Sequence, residues 1–208
     1  MKREFLKSRD GEKYLSEHFK VKEFACKDGS DYLKIDMDLI PLVERFRQYV
    51  ENTVIINSAY RTESWNKKQG GATNSYHLYG QALDIGVDKN YKYLDTVNLM
   101  AKFFYTLKVK GIITYSWGIH IDTRKSIYYK GFTAQKINIP LYNNLKRGME
   151  SNDIGVLQFM LKQMGYNIEV DCKFGHETET CVLHFQYTNK LEHDGIVGQK
   201  TWKKILDK

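Results

Sequence analysis

The 208-residue sequence contains little cysteine, little proline and no long apolar run. Three cysteines are too few for a disulfide framework, which excludes the small secreted scaffolds that fold around disulfides. No uninterrupted apolar stretch approaches the roughly 20 residues that a membrane-spanning helix needs, so we expect no membrane span. The first residues, MKREFLKSRDGEKY, lack the apolar segment of a secretory signal. These absences predict a globular protein that is synthesised in a cytoplasm without a signal peptide.

Basic side chains are unevenly distributed along the chain, which has a formal net charge of +7. Residues 144–208 carry nine basic and nine acidic side chains, so the whole excess lies in residues 1–143. A basic surface attracts anionic partners such as nucleic acid, anionic lipid or an anionic cell-wall polymer, and a lysine-rich solvated surface is the simpler alternative. No nucleic-acid partner is expected, because the second part is balanced in charge and no recognition motif is present.

Two blocks joined by a linker are predicted. The first, residues 1–132, has helical apolar spacing over residues 36–52 and 96–108, and strand-like runs at 53–60, 81–88, 111–115 and 118–122. Because these strands do not alternate regularly with helices, we expect an α+β fold with an antiparallel sheet. The linker, residues 133–143, lacks periodicity and contains Pro140, which favours extended geometry.

The second block, residues 144–208, has a helical pattern and an internal near-repeat. Ser151 is placed to cap a helix that ends at Gly165. An Asp-x3-Gly-x2-Thr unit begins at Asp171 and recurs at Asp194, and each copy precedes apolar residues at helical spacing. These features predict a small all-α domain of three helices.

The segment SYHLYGQALDIG and the later segment GIHID contain the residues that suggest chemistry. Asp84 lies on an otherwise apolar strand, where an unpartnered carboxylate is costly, and His77 precedes it by seven residues. His120 and Asp122 alternate with isoleucines and therefore share one strand face. Two histidines and one carboxylate are the usual protein ligands of a catalytic zinc, whose open fourth position activates water. Histidines hydrogen-bonded in turns would show the same spacing, so the residues alone leave both interpretations open.

Together with an upstream Ser-Ala-Tyr-Arg, these motifs resemble the zinc D-alanyl-D-alanine carboxypeptidase family, which has the Hedgehog/DD-peptidase fold and includes many phage endolysins. The resemblance covers roughly residues 14–125, and residues 16–31 are similar to the N-terminal segment of the endolysin branch. The matching residues are Ser58, Ala59, Tyr60, Arg61, Ser75, His77, Gly80, Ala82, Asp84, His120 and Asp122.

The resemblance implies a role for each candidate residue. His77, Asp84 and His120 would bind one zinc ion. Arg61 would hold a carboxylate or carbonyl of the substrate, which suits the planar guanidinium. Ser75 would bind the substrate backbone or cap a turn.

The catalytic base is the position at which the sequence departs from the family. Several branches place a glutamate three residues before the second histidine, where this chain has Trp117. We group Asp122 with Arg61 as catalytic, although Asp122 could instead serve as the acceptor that orients His120. Tyr115 is a further candidate for proton transfer, and loss of activity is the remaining alternative.

Residues 145–207 resemble the three-helix peptidoglycan-binding module. Cys172 stands where that family usually has glycine. The matching segments are Leu145–Gly148, Val156–Gln158, Leu161, Gly165–Tyr166, Phe174–Gly175, Thr178, Val182, Phe185–Gln186, Asp194–Gly198 and Thr201–Trp202.

The two resemblances together predict a lytic zinc metallopeptidase of the cell wall, an endolysin that hydrolyses a peptide bond next to D-alanine in the peptidoglycan stem peptide or cross-link. The alternatives are an L-alanyl-D-glutamate endopeptidase of the same fold and a catalytically silent peptidoglycan-binding protein. Peptidoglycan is the expected partner, with anionic wall polymers as a second. We expect synthesis in the host cytoplasm and action on the wall after release.

Overall fold

The computed structural model describes residues 1–87, 96–131 and 143–207. The chain divides into two compact units, Met1–Asn138 and Ile139–Lys208. The limits 1–132, 133–143 and 144–208 stay predictions, because residues 132–142, with almost all of the predicted linker and Pro140, lie outside the described part. None of the helices in that part combines the length and the apolar character that crossing a membrane requires.

The first unit begins with a two-stranded sheet that the sequence did not predict. Strand β1 (Lys2–Leu6) leads directly into the short helix α1 (Lys7–Asp10), and β1 pairs antiparallel with β2 (Tyr32–Asp36). Four of the five residues of β1 are exposed, so the strand lacks the apolar alternation by which a strand is recognised. A 3-10 helix, Val21–Phe24, lies between β1 and β2 in sequence, and its residues Val21 and Phe24 are buried.

Most of the remaining elements of the first unit form in predicted segments, whereas the 3-10 helix Tyr76–Tyr79 and the strand Tyr128–Lys130 were not predicted. Thr62 caps α3, because its hydroxyl accepts a hydrogen bond from the Trp65 N–H. The elements are α2 (Leu39–Val50), β3 (Val54–Ser58), α3 (Glu63–Lys68), a 3-10 helix (Tyr76–Tyr79), β4 (Ala82–Val87), α4 (Thr96–Thr106), β5 (Gly111–Tyr115), β6 (Gly118–Asp122) and β7 (Tyr128–Lys130).

Strands β3 to β7 form one five-stranded sheet in the order β3-β4-β6-β5-β7. All neighbouring pairs are antiparallel except β5 and the short β7, which are parallel. The expected α+β class with a mainly antiparallel sheet is confirmed. Helices α2 and α4 contribute an aromatic cluster to the core, in which the Phe46 ring lies 5.2 Å from both the Phe103 and the Phe104 rings.

The register of the sheet gathers polar residues into one row. Ser58 of β3 lies opposite Asp84 of β4, Asp84 lies opposite His120 of β6, and His120 lies opposite Ile113 of β5. Residues that are directly opposite in antiparallel strands project from the same face. The row therefore places a carboxylate and an imidazole side by side near the middle of the sheet.

The second unit contains three helices, α5 (Asn152–Gln163), α6 (His176–Thr188) and α7 (Gln199–Leu206). The expected all-α domain is confirmed. Ser151 caps α5, because its hydroxyl accepts a hydrogen bond from the Ile154 N–H. The fully buried Trp202 of α7 belongs to the small core.

The near-repeat in the sequence corresponds to a repeated hydrogen-bond pattern. The buried Gln158 amide donates to the Asp171 carboxylate, the Thr178 hydroxyl and the Lys173 carbonyl. The buried Gln186 amide makes the same three bonds to the second copy, with Asp194, Thr201 and Ile196. Each glutamine thus ties one turn to the helix that follows it.

Candidate metal centre

His77 is held in a fixed orientation by the turn that carries it. It lies in the 3-10 helix Tyr76–Tyr79, which ends at Gly80 in the left-handed region at φ 65°. The His77 side chain is 2% exposed, and its Nδ1 lies 2.6 Å from the Ala59 carbonyl oxygen. A carbonyl oxygen only accepts, so Nδ1 carries the proton and Nε2 presents a lone pair.

His120 is oriented in the same way by a carboxylate. Its Nε2 donates to Asp122 Oδ2 across 3.1 Å, which leaves the Nδ1 lone pair directed toward Asp84. Both side chains of the cross-strand pair Asp84 and His120 are buried, at 6% and 7% exposure. The structure therefore brings together the three predicted metal ligands.

The three ligand atoms form a nearly equilateral triangle. His77 Nε2 lies 3.2 Å from Asp84 Oδ1 and 3.2 Å from His120 Nδ1, and His120 Nδ1 lies 2.9 Å from Asp84 Oδ1. Zinc bonds of about 2.0–2.2 Å in tetrahedral geometry place ligand atoms about 3.3–3.6 Å apart. The triangle is slightly tighter than three corners of such a tetrahedron, and a small outward shift of the side chains would let these residues hold a metal ion.

The electrostatics of the triangle favour a bound cation. Two imidazole lone pairs and one carboxylate oxygen converge there in a buried environment. Burial lowers the pKa of His120, but its bonds to Asp122 and Asp84 outweigh burial and raise the pKa above the usual value. Burial raises the pKa of Asp84, and its contacts with His120 and His77 bring the pKa well below its usual range. Without a metal the site attracts a proton, and a metal ion would take the place of that proton.

Arg61 contacts Asp84, the carboxylate of the candidate metal centre. Its Nη2 donates to Asp84 Oδ2 across 2.5 Å, and its Nε donates to Ser58 Oγ across 2.8 Å. Asp84 Oδ2 is thereby occupied, while Oδ1 faces the two histidines. The described residues supply no partner for Arg61 Nη1, which leaves donors for a substrate in the adjoining cavity.

Asp122 lies behind His120 and does not line the cavity. Its carboxylate is almost completely buried and accepts two side-chain bonds from Arg124, from Nε across 2.7 Å and from Nη2 across 2.5 Å. Burial raises the pKa of Asp122, but His120 and Arg124 lower it to about 2. We therefore regard Asp122 as a positioning residue that acts through His120.

Arg124 is a site residue that the sequence analysis did not identify. Its guanidinium carbon lies 4.9 Å from the Tyr76 ring centroid and 4.3 Å from the Tyr128 ring centroid, so two aromatic rings flank it. It lines the metal cavity and completes a chain of bonds from Arg124 through Asp122 to His120. The sequence feature that could have revealed Arg124 is alternation: His120, Asp122 and Arg124 are every second residue, and this spacing continues along one strand face past the end of β6.

The metal centre opens into a cavity of about 550 Å³. Ser75 lines it, and no hydroxyl bond of Ser75 caps the following turn. Tyr115 stacks on Trp117 with ring centroids 5.0 Å apart, and both line the cavity. Burial and the charge of Asp84 raise the pKa of Tyr115, so its hydroxyl stays protonated and serves as a donor.

Asp84 is the one carboxylate among the described residues that line this cavity. Trp117, at the position where several family branches have glutamate, is half exposed and contributes no acid–base group. The remaining polar lining consists of arginine, serine, tyrosine and amide groups. A carboxylate base separate from the metal ligands is therefore absent from the described lining.

A second group with metal-binding side chains lies elsewhere in the first unit. Glu17, His18 and Glu44 place their ligand atoms within 4.8 Å of one another. The His18 Nδ1 and Glu44 Oε1 atoms lie 2.6 Å apart, and the His18 backbone N–H also donates to Glu44. These bonds make His18 and Glu44 a link between the N-terminal segment and α2.

Residues 16–122 match the Peptidase M15 family, and this match covers more than half of the chain. The chain therefore belongs to the Peptidase M15 family. Residues 150–205 match the peptidoglycan-binding domain family. The chain thus combines a Peptidase M15 domain with a helical segment that matches a peptidoglycan-binding domain.

Two solved structures are similar to parts of the chain. One, from Clostridium acetobutylicum ATCC 824, is described as a fused Zn-dependent amidase, peptidase and peptidoglycan-binding domain-containing protein. It is 33% identical over 31% of this chain and 29% of its own length, with a TM-score of 0.30. The chain thus spans less than a third of that protein. The other is a peptidoglycan-binding protein from Clostridioides difficile in complex with glutamine hydroxamate, 21% identical over 80% of this chain and 84% of its own, with a TM-score of 0.31.

Proposed function

We propose that the protein is a zinc-dependent peptidase that hydrolyses a peptide bond next to D-alanine in the stem peptide or cross-link of peptidoglycan. The observation that carries the proposal is the buried triangle of His77, Asp84 and His120, whose edges of 2.9–3.2 Å are close to those of tetrahedral zinc. Membership of the Peptidase M15 family and the peptidoglycan-binding domain support the reaction and the substrate.

Each residue around the triangle has a role in this proposal. A zinc ion held by His77, Asp84 and His120 supplies Lewis acidity and lowers the pKa of water. Arg61 keeps one Asp84 oxygen occupied and offers its remaining N–H donors to the substrate carbonyl or carboxylate. The protonated Tyr115 hydroxyl provides a further donor to developing negative charge, and Trp117 and Tyr128 add aromatic surface to the cavity wall.

The second unit would increase the local concentration of substrate. A module that binds peptidoglycan keeps the tethered peptidase near many stem peptides, and this avidity needs no additional contact at the active site. The basic excess of the first block would add attraction to anionic wall polymers, and salt would weaken this attraction.

The test is lysis of purified walls together with the metal content of the protein. We expect about one zinc ion per chain, loss of lysis with a chelator and recovery with added zinc. His120→Ala should abolish lysis while wall binding through residues 144–208 persists. Lysis by His120→Ala at the normal rate would refute the zinc assignment.

The scissile bond is tested separately, because an L-alanyl-D-glutamate endopeptidase of the same fold would use the same metal triangle. Mass spectrometry of digested muropeptides distinguishes the two reactions by the termini that they create. Products that end at or begin with D-alanine support the proposal, whereas new N-terminal D-glutamate supports the alternative.

A catalytically silent wall-binding protein is the second candidate function. It is favoured by one observation, which is that the described lining of the metal cavity holds no carboxylate apart from Asp84. A zinc-loaded protein that binds purified walls and never reduces their turbidity would establish this function.

We also propose the biological role of an endolysin, synthesised in the host cytoplasm and acting on the wall after release. Expression inside a susceptible cell should be harmless until the membrane is permeabilised, and lysis should then follow. Lysis without permeabilisation, or none after it, would contradict this role.

A further inference from the structure

A second cavity, of about 650 Å³, adjoins the metal cavity. The two cavities share Arg61, Gly70 and Gly71 in their walls. We name the second one the lysine cavity, after Lys34 in its wall. Because an extended peptide advances about 3.3 Å per residue, a chain bound at the metal centre passes Arg61 and enters the lysine cavity after a few residues.

Aromatic rings hold the Lys34 ammonium group at the wall of this cavity. Nζ lies 5.7 Å from the Tyr60 ring centroid and 5.9 Å from the Tyr79 ring centroid, and both rings line the lysine cavity. Lys34 is half-buried. Cation–π contact with two rings restrains a side chain that is otherwise flexible and keeps the positive charge near the cavity wall.

No carboxylate of the described residues lies within salt-bridge distance of Lys34 Nζ. Its cross-strand neighbour Glu4 instead faces the Tyr32 hydroxyl, and this bond, with burial, raises the pKa of Tyr32 to about 12. Besides Lys34, the charged residues of the lysine cavity are Arg61, Lys67 and Glu63. Three cations and one carboxylate leave the cavity with a net positive charge.

The backbone fixes Lys34 next to the turn that carries His77. A Cβ atom at Gly80 would lie 2.1 Å from the Lys34 carbonyl oxygen, so only glycine allows this approach. The Asp36 N–H donates to the Gly80 carbonyl oxygen across 2.7 Å. Strand β2 therefore docks directly on the metal-binding turn, and Lys34 keeps a constant position relative to the metal centre.

We propose that the lysine cavity is a binding subsite for a carboxylate of the peptide substrate, with Lys34 as its cationic ligand. This inference rests on the proposed function, because it extends the substrate that is bound at the metal centre. Stem peptides of peptidoglycan carry carboxylates at some distance from the cleaved bond. An ammonium group that is restrained by aromatic rings and has no carboxylate partner among the described residues pairs with such a carboxylate at a small entropic cost.

The experiment is a double-mutant cycle on binding. Two synthetic stem peptides are compared, one with free carboxylates and one with every carboxylate converted to a primary amide. Their Kd values are measured by calorimetry with the full-length, metal-free protein, in which no turnover occurs. We expect Lys34→Met to weaken binding of the free peptide about ten-fold and to leave binding of the amidated peptide unchanged.

Lys68 provides a matched control. It makes a similar cation–π contact, with Nζ 5.1 Å from the Trp65 ring, and it does not line either cavity. Lys68→Met should therefore bind both peptides like the wild type, and Lys34→Arg should retain the preference for the free peptide. Thermal unfolding of each variant confirms that it is folded.

Equal effects of Lys34→Met on the two peptides, or no binding of either peptide to the wild type, would overturn the subsite. Failure of the proposed function has a different signature, because zinc-loaded wild-type protein would then cleave neither peptide while the Kd values still depended on Lys34.

Discussion

His120 and Asp122 are joined by a 3.1 Å hydrogen bond from Nε2 to Oδ2, and this bond decides which nitrogen of His120 faces the other metal ligands. Nδ1 is left 2.9 Å from Asp84 Oδ1 and 3.2 Å from His77 Nε2. An imidazole without this acceptor could present either nitrogen or rotate away. The metal affinity of the centre should therefore depend on Asp122, although Asp122 is not a ligand.

Asp122→Asn should weaken zinc binding by about 10- to 100-fold, because the amide no longer fixes the proton on His120 Nε2. Competition with a fluorescent chelator measures this change. Asp10→Asn is the control, since Asp10 is equally buried and pairs with Arg9 and Lys13 away from the metal cavity. Equal zinc affinity in the wild type and Asp122→Asn would contradict the prediction.

Arg124→Met should weaken zinc binding about ten-fold, because Asp122 loses the two side-chain bonds that hold its carboxylate. Arg124→Lys should recover only part of the loss, since an ammonium group cannot reproduce a bidentate contact between two aromatic rings. Arg147→Met, which removes an exposed pair with Glu179, is the control in the same chelator assay. Full recovery of zinc affinity in Arg124→Lys would show that only the positive charge at position 124 is needed.

Gly111→Ala should destabilise the first unit by about 1–3 kcal/mol and lower its zinc affinity. A Cβ atom there would lie 2.0 Å from Asp122 Oδ1, and that carboxylate is fixed by His120 and Arg124. Gly175→Ala is the matched control, because its Cβ would meet open space. Urea denaturation of the metal-free protein measures the free energy of unfolding of both variants. Equal losses would exclude the clash with Asp122 as the cause of destabilisation.

The stability that Asp122 provides should decline in acid. Its folded pKa of about 2 lies below the unfolded value of about 3.9, so the contribution is complete above pH 4 and is lost as the pH falls toward 2. The stability difference between metal-free wild type and Asp122→Asn should therefore narrow by about 1 kcal/mol between pH 5 and pH 3. Denaturant titration at the two pH values tests this, and a constant difference would refute the low folded pKa.

Cys172→Gly should stabilise the second unit by about 1 kcal/mol. Cys172 has φ 63°, the left-handed region that costs a residue with a side chain roughly this amount, whereas the corresponding residue of the second repeat is Gly195 at φ 71°. Gly195→Ala is the reciprocal variant and should destabilise by a similar amount, since its Cβ meets only ordinary contacts. The same sign of change in both variants would exclude backbone strain as the cause.

The sequence predicted those parts of the fold that have a clear hydrophobic period. Segments such as 96–108 and 118–122 show their class by residue spacing alone, and α4 and β6 form there. The exposed β1 and the three-residue β7 have no such period. They are strands because they pair with β2 and β5, and a local hydrophobic pattern does not show this pairing. The pairing partner of β1 is distant in sequence and therefore invisible to a local pattern.

The candidate site was predictable to a similar extent. His77, Asp84 and His120 were identified from motif residues, and the sheet register explains why two of them meet. Arg124 was missed because its contacts with Tyr76 and Tyr128 join residues from separate segments. Lys34 reaches the lysine cavity because β2 docks on the Gly80 turn, and no local sequence pattern reveals this docking.

The matching bonds of Gln158 and Gln186 have a practical consequence for engineering the second unit. Each glutamine donates to its own turn and the following helix through three corresponding acceptors, so the two turns are structurally equivalent. A segment grafted between Asp194 and Thr201 should be transferable to the stretch between Asp171 and Thr178 without redesign of the helices. The small domain therefore offers two interchangeable display positions on a single scaffold.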